Sequence, residues 1–165
     1  MRLTFLVPLA LALLAAAPLS ARAETPEDWI KLGARVHGGY GAFIPLGIKI
    51  GLDAVERLKA APRTLAVTYY DSSTSPCACF ADGIAIATYA SVGQRSLKIA
   101  DEKAPAGIAA VIVIRPRKGG PGFKYTIPMA SLPKLKKMND ELDPPGRHRA
   151  VMETNGLFEV TAAAE

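Results

Sequence analysis

The chain is poor in the residues that most often betray a function. It has two cysteines, two histidines and one tryptophan among 165 residues, so soft-metal or thiol chemistry would have to use nearly all of its sulfur and imidazole. No serine sits in a nucleophile-elbow pattern and no glycine-rich run has phosphate-loop spacing. No second acid is placed to anchor an acid–base mechanism. Beyond the N-terminus there is no internal repeat, no low-complexity tract and no further apolar run long enough to span a bilayer.

What is there begins with a leader. Met1-Arg2 is a short positive start, Leu3 to Leu19 is an uncharged apolar run interrupted by Pro8 and Pro18, and Ala21-Arg22-Ala23 is a small-x-small site. That order predicts a signal peptide over residues 1–23, cleaved after Ala23, with the mature protein starting at Glu24 and residing in the periplasm or outside the cell. Arg2 and Arg22 carry two of the five formal positive charges and leave with the leader. The remainder is mildly basic, which together with export argues against a nucleic-acid partner. It is sized for one domain, residues 24–165, without a membrane span.

The mature segment reads as mixed helices and strands. "TPEDWIKLGARVHGG" is a helix with Thr25 as cap and Pro26 in the first turn, ended by Gly38-Gly39, with Trp29, Leu32 and Val36 facing the core. A second helix runs from Ile44 to Pro62, with Ile48, Leu52, Val55 and Leu58 as its apolar stripe. Lys49, Asp53 and Arg57 are spaced for ion pairs, and Gly47 and Gly51 share a face that invites close approach by another element. "TLAVTYYD" is a strand. "SSTSP" is a turn able to cap a helix over about Cys77 to Val92, closed by Gly93. "SLKIAD", "GIAAVIVIRP" and "FKYTIPM" are strands, the last two joined by a Gly-rich hairpin. Two short helices and an edge strand, "GLFEVTA", follow. Without regular βαβ alternation the expected class is α+β, a single domain with a mixed, mostly antiparallel sheet packed against helices.

Cys77 and Cys79 flank one residue where the third helix begins, and unpaired N–H groups at a helix start favour a thiolate. In an oxidising compartment such thiols either pair or are held by a metal. Asp82 lies one turn beyond Cys79 on an apolar helix, and a carboxylate there needs a metal-bound ligand, a cation such as Arg95, or backbone donors. His37 stands at a helix end beside a flexible glycine loop, where Gly39 and Gly41 allow motion. His148, between arginines in "GRHR", reads as solvated.

One ordered set of residues resembles a known family. His37-Gly38 is followed by a Gly/Pro-rich turn, the helix "LGIKIGLDAVERL" and a strand ending in Asp71, then "CFADGI" and "TYASVGQRSL". This is similar to the FmdE-like family of formylmethanofuran dehydrogenase proteins, which shows an HGHxCPG-type segment, then D-x-C-x-x-D-[AG]-I and T-G-C-T-x-G-[KQ]-x-x-[LI]. Cys79, Asp82, Gly83 and Ile84 match the second motif, and Thr88, Gly93 and Leu97 continue it. The resemblance covers roughly residues 29–129. It implies an α+β fold and a metal site, most often zinc, built on the motif histidine and cysteines. Departures are equally plain. Gly39 replaces the second histidine, the CPG cysteine is lost, Ala90 replaces the TGCT cysteine, and the C-terminal zinc ribbon of some members is absent.

These residues lead to three functional expectations. The first is an exported binding domain holding Zn2+ or a metal-linked small ligand through His37, Cys77, Cys79 and Asp82, with Tyr40 and Phe43 lining the cleft and a tie to one-carbon metabolism implied by the resemblance. The second is a thiol–disulfide redox protein using Cys77 and Cys79. The third is a metal-dependent enzyme, with His37 or Asp82 carrying protons. The partner in each is a small ligand or metal ion, and a homodimer is admitted without being specified.

Overall fold

The computed structural model describes residues 24–75 and 77–164; the expected leader lies outside them. In chain order the elements are α1 (Pro26–His37), α2 (Phe43–Arg57), β1 (Leu65–Asp71), α3 (Cys79–Thr88), β2 (Leu97–Ile99), β3 (Ile108–Pro116), β4 (Gly122–Pro128), α4 (Leu132–Glu141), α5 (Pro144–Glu153) and β5 (Glu159–Ala163), with a 3-10 turn before α4. The strands form one sheet in the order β2-β1-β3-β4-β5. Only β1 and β2 run parallel; the other pairs are antiparallel. This is the expected α+β domain, and β5 is the expected edge strand.

The sheet's buried face carries Leu65, Val67 and Tyr69 from β1, Ala110, Ile112 and Ile114 from β3, and Tyr125 and Ile127 from β4. Alternation along each strand puts these side chains on one face. There they pack with Leu46, Ile50 and Ala54 of α2 and with Phe80 and Ile84 of α3 in one cluster. A second cluster joins the helices to each other through Trp29, Ile44, Ile48, Cys79 and Ile86.

α1 begins as its sequence dictates. The Thr25 hydroxyl accepts the Asp28 N–H at 3.2 Å while the Asp28 carboxylate accepts the Thr25 N–H at 3.0 Å, a reciprocal capping box. Its buried face differs from the expected one. Trp29 is buried but Val36 is 51% exposed. The inward line runs at four-residue intervals through Trp29, Gly33 and His37, because Gly33 lets the Tyr40 ring and Ile44 lie against the helix backbone. That line delivers His37 to the interior side of the helix end.

α2 and α3 cross with their backbones nearly in contact. A Cβ added at Gly47 would strike the Phe80 carbonyl oxygen and come within 3.0 Å of the Gly83 Cα; one added at Gly83 would strike the Ile44 carbonyl oxygen and meet the Ile48 nitrogen at 2.8 Å. The glycine face of α2 is therefore interior, as its spacing suggests, and Leu52, expected in the apolar stripe, is left 38% exposed.

Two further expectations are corrected. Asp53 pairs with Arg57 at 2.6 Å, but Lys49 leaves that row and donates to the carbonyls of Val151 and Thr154 at the end of α5, at 3.2 and 2.7 Å. An ammonium is well placed where helix carbonyls lack partners. α3 is shorter than expected at both ends. No side chain caps it, since the Ser75 hydroxyl donates to the Cys77 carbonyl. It stops at Thr88 because Tyr89 takes the left-handed conformation, φ 57°, four residues before Gly93.

Gly83→Ala is expected to lower stability by about 1–3 kcal/mol or more, the range for overpacking a close contact. Gly93→Ala, whose Cβ would meet nothing within 4 Å, should be near neutral. Urea denaturation of both variants measures the contrast, and equal effects would show that the crossing is not tight.

Candidate functional site

Three elements bring the chemically capable residues together. The α2–α3 crossing seats α3, and α3 opens with Cys79 and presents Asp82 one turn later. The Trp29–Gly33–His37 line of α1 ends beside it. Gly38, in the left-handed conformation at φ 86°, turns the chain away while its N–H closes on the Ala34 carbonyl at 2.9 Å. As a result the His37 Nδ1 lies 2.7 Å from Asp82 Oδ2. A carboxylate only accepts, so Nδ1 carries the proton and Nε2 holds the lone pair. The sequence offered Arg95 or loop N–H groups as partners for Asp82; the observed partner is the histidine. With side chains 28% and 39% exposed, the His37–Asp82 pair sits at the rim of the helix cluster, open to solvent on one side.

Cys77 and Cys79 are joined in a disulfide with Cα atoms 5.4 Å apart, within the usual range. Cys79 is 6% exposed and packs among Trp29, Tyr40 and Ile48, whereas Cys77 is the more open of the two. His37, Cys77 and Cys79 each offer a ligand atom, all within 4.8 Å of one another. The disulfide and a bis-thiolate metal site are exclusive states of the same two sulfurs.

Beside Cys77 is a small cavity of about 60 Å3, walled by Phe43, Phe80 and Leu132, with Ser72, Thr74 and Ser75 supplying hydroxyls. The rings of Phe43 and Phe80 are 5.0 Å apart. Phe43 thus lies near the cysteines as the first residue of α2. Tyr40 is placed differently: it is 5% exposed, and its hydroxyl meets His148 Nδ1 at 2.7 Å. Burial raises the Tyr40 pKa, so the phenol keeps its proton and donates it to the imidazole.

The solvated reading of His148 is corrected by this contact. His148 is 6% exposed. It belongs to a clamp on the 38–42 loop that sequence reasoning missed. Arg147 donates to the Tyr40 carbonyl at 3.1 Å and to the Asn139 carbonyl at 2.9 Å, and the Asn139 side chain accepts the Ala42 N–H at 2.6 Å. The glycine loop expected to move is pinned at Tyr40 and Ala42 by residues about a hundred positions downstream. Only the tertiary pairing reveals them, since neither "MND" nor "GRHR" has a periodic signature.

The fold and site together define an α+β domain with a histidine–carboxylate pair at a Cys-x-Cys helix start. The chain matches the FmdE family, described as molybdenum formylmethanofuran dehydrogenase operon, over residues 36–155. It belongs to that family. No curated protein matches it. Among the described residues no helix is long and apolar enough to cross a membrane.

Burial lowers the His148 pKa from 6.5, with Glu27 opposing the shift, so the folded protein holds this imidazole neutral. The unfolded chain then binds more protons than the folded one as pH falls below 6.5, and stability must drop in that window. His148→Gln is expected to flatten the slope between neutral pH and about pH 5.5 while lowering the plateau by about 1 kcal/mol. Denaturant midpoints across pH check it; an unchanged slope in the variant would assign the acid sensitivity elsewhere.

Proposed function

We propose that this is an exported FmdE-family binding domain whose His37, Cys77 and Cys79, in the reduced protein, hold a soft divalent cation with a small ligand at the remaining position. One observation carries the reading: the three ligand atoms lie within 4.8 Å of one another while Asp82 occupies the Nδ1 side of His37. Zinc bonds of ~2.0–2.3 Å to nitrogen and sulfur suit a group of that size. One imidazole and two thiolates match zinc better than harder cations, and three protein donors leave a fourth position open. Asp82 serves as the carboxylate that orients the ligating histidine, a common partner of metal-bound imidazole. Phe43 and Phe80 wall the approach at Cys77, and Tyr40 supports it by fixing the loop. The tie to one-carbon metabolism rests on the family's description.

The disulfide favours a second reading, thiol–disulfide exchange. An incoming thiolate would attack the more open Cys77 sulfur and form a mixed disulfide there. The Cys79 thiolate would leave at the first turn of α3, where free N–H groups stabilise it.

The two readings separate on the mature protein after reduction with dithiothreitol and exchange into zinc-containing buffer. The metal reading expects about one zinc per chain. Cys77→Ser and Cys79→Ser should lose it, Asp82→Ala should bind about 10–100-fold more weakly, and the oxidised protein should take none. Intact mass of the same preparation should show a chain starting at Glu24. Reduced protein that takes no metal but exchanges with glutathione disulfide, provided both cysteines are present, would replace the metal reading with the redox one.

A further inference from the structure

At the end of the sheet away from the disulfide lies a larger cleft with no part in that chemistry. β1 runs from Leu65, paired with Pro116, to Asp71, paired with Ala110, and only then turns toward Cys77. The cleft, about 500 Å3, opens at the Leu65–Pro116 end between the turn that follows α2 and the end of β3. That volume is in the range of small-molecule sites, ~300–1,000 Å3. Its floor is apolar, made by Leu58, Ala60, Leu65 and Pro116, and Leu58, Ala60 and Leu65 belong to the main core cluster. Lys59, Arg63, Arg117 and Lys118 line it, and among the described residues no carboxylate does.

Four cations gathered on one cleft repel one another unless an anion joins them. Two of them also stand in backbone positions that suit glycine. Lys59 and Arg63 have φ of 47° and 66°, the left-handed region that a side chain disfavours. Lys59 directly follows the C-cap of α2, where glycine is the usual occupant. Their side chains are kept against that preference. Arg117 is held in place: its N–H donates to the Thr64 carbonyl at 2.8 Å and its guanidinium donates to the Gln94 carbonyl at 3.0 Å, so its charge is fixed at the wall of the cleft.

We propose that this cleft binds a small amphiphilic oxyanion, with its apolar tail on Leu58 and Leu65 and its headgroup among Lys59, Arg63, Arg117 and Lys118. Tail and headgroup are both required, because the floor offers no hydrogen-bonding side chain and the rim offers no apolar one. The site is independent of the His37–Cys79 centre and needs neither metal nor reduction.

The test is calorimetric titration of the disulfide-bonded mature protein with octyl phosphate below its micelle concentration. Octanol and inorganic phosphate serve as half-ligands, and phosphatidylglycerol vesicles as the membrane source of the same chemistry. The expected result is one octyl phosphate per chain, weakening with salt, and at least tenfold tighter binding than either half-ligand. A Lys59→Gly, Arg63→Gly double variant should lose at least tenfold in affinity. It should melt no lower than the parent, because glycine suits both backbone positions. Absence of binding, an unchanged affinity in the double variant, or octanol binding as well as octyl phosphate would overturn the proposal. So would binding to vesicles alone, which would make these cations a membrane-surface contact instead of a ligand cleft.

Discussion

The close crossing of α2 and α3 is the constraint on which the rest of the structure depends. Gly47 and Gly83 face one another with Cα atoms in near contact, so the two helix axes approach as only glycine permits. α2 lies on the sheet through Leu46, Ile50 and Ala54, and α3 joins the same cluster through Phe80 and Ile84. Because Gly83 points at α2, its neighbour Asp82 points off the crossing, toward the end of α1. The Asp-Gly pair within the family motif therefore combines two demands, a carboxylate for the site and a missing side chain for the contact that aims it.

A second tier of contacts holds the histidine. α1 docks through Trp29 and Gly33, and the loop leaving His37 is fastened by Arg147, Asn139 and His148 from the C-terminal helices. Placement of a short polar pair at a partly exposed rim needs such support, since the pair itself gains little from solvent-screened attraction. The disulfide adds a separate condition. It ties the two sulfurs to each other in the oxidised protein, so the same side chains have two chemical lives, and the redox state of the compartment selects between them.

Much of the architecture was legible because it rests on local patterns. The capping box at Thr25, the strands of alternating or β-branched residues, the glycine hairpin between β3 and β4 and the α+β class all follow from short-range rules. The misreadings share one cause, a neighbour that sequence spacing does not contain. Val36 sits at helical spacing from Trp29 and Leu32, but the core lies along Trp29, Gly33 and His37 because Tyr40 and Ile44 fill the space over Gly33. Lys49 stands four residues from Asp53, yet the open carbonyls of α5 hold it. His148 is flanked by arginines, and its position opposite the Tyr40 hydroxyl buries it.

The sequence by itself determined the ingredients: a histidine before a glycine turn, two cysteines one residue apart at a helix start, a carboxylate one turn on, and glycines marking a close approach. Those are properties of residue type and short spacing, and they suffice to place the chain in its family. Tertiary structure alone decided that Asp82 meets His37, that the cysteines join each other beside that pair, and that Tyr40 belongs to the support of the loop. Each of these joins positions brought together by packing across the helix layer. Which side chains meet there depends on how closely the backbones can approach, a quantity that no single segment of the sequence carries.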